Sequence, residues 1–124
     1  MTNSSLEERI LPAMEARVLI GREAPRTAPA RDEALAIYRR HAMRALSEER
    51  WTAASIFLDR MLEVDPRNTE AWLMKGHVEQ FCRENLEAAL ACYRKVITLC
   101  GWDLSHPHAA KARRAADRVL LHWS

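Results

Sequence analysis

At 124 residues the chain has the length of one domain and can bury roughly two-thirds of the surface its unfolded form exposes. Apolar residues make up 48% and charged residues 29%, an ordinary globular balance that argues against disorder. The net charge of +2, from sixteen Arg and three Lys interleaved with acids, is too small to imply a polyanionic partner.

Three glycines and five prolines leave long stretches filled by Ala, Leu, Glu and Arg, all good helix formers, so the fold class read here is all-α. Cys82, Cys92 and Cys100 are odd in number and form no CxxC pair, which speaks against a disulfide framework. Acids at Glu7, Glu8 and Glu15 break up the N-terminus as a signal peptide. No run approaches the ~20 apolar residues of a membrane span. A soluble, cytoplasmic protein with no membrane contact is the expectation.

In chain order, Ser4 and Ser5 stand three residues before Glu7 and Glu8, the capping-box pattern of a helix start. Leu6, Ile10, Met14 and Val18 then recur at helical spacing, giving an N-terminal amphipathic helix over 1–20. Residues 21–31, with one Gly and two Pro, read as a linker. Asp32 is expected to cap the next helix, which runs to about Leu46, and SEER over 47–50 makes a turn. Trp51 opens a helix carrying Ala54, Phe57, Leu58, Met61 and Val64, and Asp65-Pro66 stops it because proline cannot continue the hydrogen-bond ladder. Asn68 or Thr69 caps a fourth helix reaching about Cys82. A fifth spans 86–99 and ends at Gly101. A last helix over 105–123 is expected to be capped by Ser105, with Pro107 in its first turn.

These elements repeat. Tyr38/Trp72 and Ala42/Gly76 are 34 residues apart, whereas Trp51/Leu86, Ala54/Ala89, Leu58/Tyr93, Met61/Val96 and Val64/Leu99 are 35 apart. One inserted residue therefore lies between Gly76 and Leu86, and its expected place is the turn. Small residues at Ala42, Gly76, Ala54 and Ala89 let paired helices approach, so Gly76 is expected to face its partner helix. A period of this length marks a stacked helical array.

The pattern Trp51, Ala54, Leu58, Met61, Asp65-Pro66, followed by Trp72, Gly76, Leu86, Ala89, Tyr93 and Val96, resembles the tetratricopeptide repeat. Met61 and Val96 depart from it in place of the usual small residue, as does Gly101 in place of the terminal proline. The resemblance implies a right-handed superhelical array of about six helices. It comprises a domain over 32–124 with repeats at 35–67 and 69–101 and a C-terminal capping helix at 105–123. It further implies a non-catalytic protein-interaction module (adaptor, assembly factor or chaperone) whose first helices line a concave groove for a peptide or helix. Transferred to this sequence, that groove takes Arg39, Arg40, Met43 and Leu46 from the first repeat. The second contributes Leu73, Met74, His77 and Gln80 or Phe81. The apolar stripe Leu6, Ile10, Met14 and Val18 has to dock on the chain's own repeats, on a second copy or on the partner. Small chaperones of this kind often dimerise through an N-terminal helix, so self-association is the reading preferred here.

Other chemistry is poorly supported. Cys100, His106 and His108, with Cys92 or His122, lack the paired spacing of a zinc site, so no metal or other cofactor is expected. Nucleophile elbows, phosphate loops and HExxH are absent from the sequence, so no catalytic residues are assigned. Lys111, Arg113, Arg114 and Arg118 against Asp117 form a basic edge on the last helix. The alternative to a groove binder is contact with nucleic acid or an acidic protein through that edge, or service as the regulatory subunit of an enzyme. Nucleic acid is disfavoured, because no aromatic residues interleave these charges.

Overall fold

The computed structural model describes residues 27–123. The N-terminal helix expected over 1–20, with Leu6, Ile10, Met14 and Val18, lies outside the described residues, as does most of the linker. The described residues form five α-helices and no strand: α1 (Ala28–Ser47), α2 (Trp51–Val64), α3 (Thr69–His77), α4 (Leu86–Leu99) and α5 (Pro107–Trp123). Two compact units are present, Met1–Pro66 and Arg67–Ser124, and they divide at the Asp65-Pro66 stop.

In the first unit α1 begins four residues ahead of the expected Asp32 cap. Thr27 is extended and its Oγ1 accepts from the Ala30 N–H at 3.2 Å, which makes it the cap. Pro29, taken with Pro25 as a linker signal, sits in the first helical turn, where its missing N–H costs nothing. At the far end Glu49 adopts a left-handed φ of 58°. The Glu49 N–H donates to Leu46 O at 3.1 Å and the Arg50 N–H to Ala45 O at 2.8 Å, closing the last turn of α1. The α1–α2 hairpin buries Ala34, Ile37, Tyr38, Ala42 and Ala45 together with Ala53, Ala54, Phe57, Leu58 and Met61. Phe57 holds its centre, with its ring 6.3 Å from Tyr38 and stacked 5.1 Å from His41.

In the second unit Asn68 caps α3 through Oδ1, which accepts from the Ala71 N–H at 3.0 Å. The α-helix expected to reach Cys82 gives way after His77 to a π-helical turn, Val78–Cys82. A π-turn holds one more residue per turn than an α-turn. The extra residue between Gly76 and Leu86 is therefore absorbed inside the helix and not, as the spacing alone suggested, in the loop. The corner that follows repeats the first one. Glu84, 35 residues after Glu49, has φ 56°, and Asn85 then caps α4 by accepting from the Ala88 N–H at 3.1 Å. Gly101 ends α4 with φ 65°; its N–H donates to Thr98 O, and that of Trp102 to Ile97 O. Ser105 is not the cap of α5, because its N–H and hydroxyl are both engaged by Asp103 Oδ1. The ring of His106 takes that place, its Nδ1 accepting from the His108 N–H at 3.1 Å.

The core of this unit joins three helices: Leu73 from α3, Ala89, Leu90, Tyr93, Val96 and Ile97 from α4, and Ala112, Ala115, Ala116 and Val119 from α5. Burial follows the repeat register. Ala42/Gly76, Ala54/Ala89, Leu58/Tyr93 and Met61/Val96 are buried in both members, and Trp51/Leu86 and Val64/Leu99 are half-buried in both. Tyr38/Trp72 differs: Tyr38 is interior, whereas Trp72 is half-buried with Lys75 and Lys95 over its ring at 5.7 and 6.0 Å.

Candidate functional site

On α1, Arg39, Met43 and Leu46 succeed one another at intervals of four and three residues, so they share one stripe, with Arg40 alongside. Arg39, Arg40 and Met43 are exposed and Leu46 is half-buried. The stripe offers polarisable and aliphatic side chains, Met43 and Leu46, next to two basic ones, a surface that adapts to irregular apolar shapes.

The positions chosen on the second repeat divide. Met74 and His77 are half-buried and present part of their surface. Leu73 and Gln80 are interior and are removed from any ligand-facing set. Leu73 belongs to the core with α4 and α5. Gln80 is 8% exposed, and its Oε1 accepts from the Tyr93 hydroxyl at 2.7 Å, which satisfies both buried groups. The π-turn explains the second reassignment. Its wider winding buries Val78, Glu79 and Gln80 in succession and puts Phe81 outside, at 63% exposure. Phe81, named only as an alternative to Gln80, is thus the surface residue of the two.

His77 is the node of the second unit's surface. Its ring lies 6.2 Å from Phe81 and 5.6 Å from Tyr93. Burial first, then the charges of Arg118 and Lys111, hold it below the ordinary histidine pKa. Those two α5 cations were read in the sequence only as part of an outer basic edge. α5 packs against α3 in the core of this unit, a contact that linear spacing did not reveal. Tyr93, fully buried, is held protonated by desolvation.

The remaining clusters have local explanations. Arg113 pairs with Asp117 at 3.5 Å, one turn apart on α5. His106 and His108 lie 5.3 Å apart, and His108 Nδ1 shares a 2.7 Å hydrogen bond with Thr69 Oγ1. None of the three cysteines forms a disulfide; Cys92 is buried and the other two half-buried. In the first unit an open cleft of about 360 Å³ is lined by Arg31, Asp32, Leu35, Val64 and Asp65, charged groups of both signs around two aliphatic side chains. No described helix is long and apolar enough to cross a membrane. Comparison of the chain with family models, curated proteins and solved structures returns no match.

Proposed function

We propose that the chain is a non-catalytic protein-binding module, an adaptor, assembly factor or chaperone of the tetratricopeptide kind. In it, the first helix of each hairpin holds a segment of a partner protein. The right-handed stacking of hairpins implied by the resemblance is part of the same proposal. One observation carries it: two helical hairpins 34–35 residues apart share burial and corner geometry, while their first helices keep Arg39, Arg40, Met43, Met74 and His77 at least partly accessible. Such hairpins spend their small residues on helix contact, which leaves the larger side chains of the accessible face for recognition.

Affinity capture followed by reconstitution with purified components tests this. Truncating Met43 and Met74 to Ala together should weaken a reconstituted complex by roughly tenfold or more, since contact energy concentrates in a few desolvated side chains. Reversing Arg39 and Arg40 to Glu should mainly slow association and alter its salt dependence. If the folded variants bind every reconstituted partner as the parent chain does, the proposed surface is not the binding face.

A further inference from the structure

The charges of α5 separate by flank. At 100° per residue, Lys111, Arg114, Arg118 and His122 fall on one side of the helix, and Arg113 and Asp117 on the other. The second pair neutralises itself at 3.5 Å. The first set is exposed along its whole length and contains no acid, and none of its cations has an ion-pair partner among the described residues. α5 packs against α3 in the core of this unit, where Leu73 meets Ala112, Ala115, Ala116 and Val119, and Lys111 and Arg118 on this flank add to the lowering of the His77 pKa. The ring of Phe81 leans on that of His77 and is largely in water. A row of cations without an ion-pair partner among the described residues and an exposed aromatic ring therefore lie on either side of one histidine.

We propose that this flank of α5, together with Phe81 on the π-turn, docks an acidic segment of a partner protein that brings one large apolar side chain. The complement of the surface defines the occupant. Carboxylates answer Lys111, Arg114 and Arg118, with bidentate geometry available at the two arginines. An aliphatic or aromatic side chain covers Phe81. The row from Lys111 to His122 spans about 16 Å of helix, the reach of a short peptide stretch. A polyanion gains affinity with each phosphate neutralised, and it would meet few cations here beside a single exposed ring. This inference deepens the protein-binding reading and rests on it.

The probe is a short synthetic peptide rich in Asp and Glu with a central Phe, titrated into the isotope-labelled full-length chain and followed by NMR. Two control peptides replace the acids by their amides or the Phe by Ser. Binding should perturb Phe81, His77, Lys111, Arg114 and Arg118, and both controls should bind several-fold more weakly. Lys111→Glu with Arg118→Glu should weaken the acidic peptide by roughly tenfold or more. Arg113→Glu, on the neutralised flank, should stay within about twofold. Far-UV circular dichroism confirms that each variant is folded, and mapping on the unsubstituted chain gives an answer independent of them. Equal binding of the amide peptide overturns the proposal, as does equal loss in Arg113→Glu. So does a duplex oligonucleotide that displaces the peptide and binds more tightly. Perturbations confined to Arg39, Arg40 and Met43 overturn it while leaving the protein-binding function standing. Loss of a reconstituted partner through neither surface removes both.

Discussion

Gly76 shows why a single small residue is needed where two helices touch. A Cβ built there would lie 2.5 Å from Tyr93 Cε1 and 2.8 Å from Cδ1, closer than real Cβ atoms approach a neighbour. The ring cannot swing away cheaply, since it is fully buried and its hydroxyl is bonded to Gln80. Gly76→Leu should therefore overpack the α3–α4 contact and cost about 1–3 kcal/mol or more. Gly76→Ala should also lose stability, because the roughly 1 kcal/mol gain in helix propensity offsets only part of the clash. Thermal melting checks both; a raised midpoint in either variant would show that Tyr93 yields. The expectation that Gly76 faces its partner helix came from one small residue recurring 34 positions after Ala42. The identity of the ring opposite it came from the fold.

The π-turn is the element on which the second hairpin departs from the first. Tyr93 on α4 donates to Gln80 on the turn, tying the wide winding to the helix behind it. Tyr93→Phe leaves the Gln80 carbonyl oxygen buried without that donor and should cost about 1–3 kcal/mol. Gln80→Leu introduced into the same variant removes the orphaned group and should return part of the loss. Urea denaturation of the two singles and the double closes the cycle, and strict additivity would mean that the bond does not fasten the turn. Boundaries with a chemical cause were legible in the sequence. Asp65-Pro66 stops α2, Asn68 caps α3, and Gly101 supplies the left-handed residue after α4. The start of α1 was misplaced because Pro29 both terminates and initiates helices, and only the Thr27 cap decides between the two. The inserted residue could be counted from 34 against 35, but counting does not distinguish a longer loop from a wider helical turn. That ambiguity propagated into the site: an α-helical register through residue 80 puts Gln80 outside, and the π-turn puts Phe81 there instead. Leu73 was misassigned for a different reason, since it faces α5 as well as α4, and packing by a third helix leaves no mark in a two-helix repeat.

For the whole molecule, the burial of His77, with the charges of Arg118 and Lys111 added to it, makes stability depend on pH. Its pKa in the folded chain is lowered from 6.5, so between that value and the folded one the unfolded chain binds more protons. Stability then falls as pH drops below about 6.5 and recovers as it rises, because protonation favours the state in which His77 is hydrated and distant from Arg118 and Lys111. At lower pH Asp103 acts in the same direction. Hydrogen bonds from Ser105 lower its folded pKa below 3.8, so its contribution is present above that value and lost as pH falls through the folded one. The two windows are separate, and the upper one belongs to a single side chain that can be replaced. Urea unfolding at about pH 7.5 and about pH 5.5 should show the parent chain losing more stability across the interval than His77→Gln does. The other four histidines remain in both proteins, so whatever they contribute cancels in the difference. Lys111→Glu with Arg118→Glu should shrink the parent chain's loss, since it removes the cations that oppose protonation of the ring. Equal slopes for the parent chain and His77→Gln would mean that His77 is hydrated in the folded protein, and would remove it from the surface shared by α3 and α5.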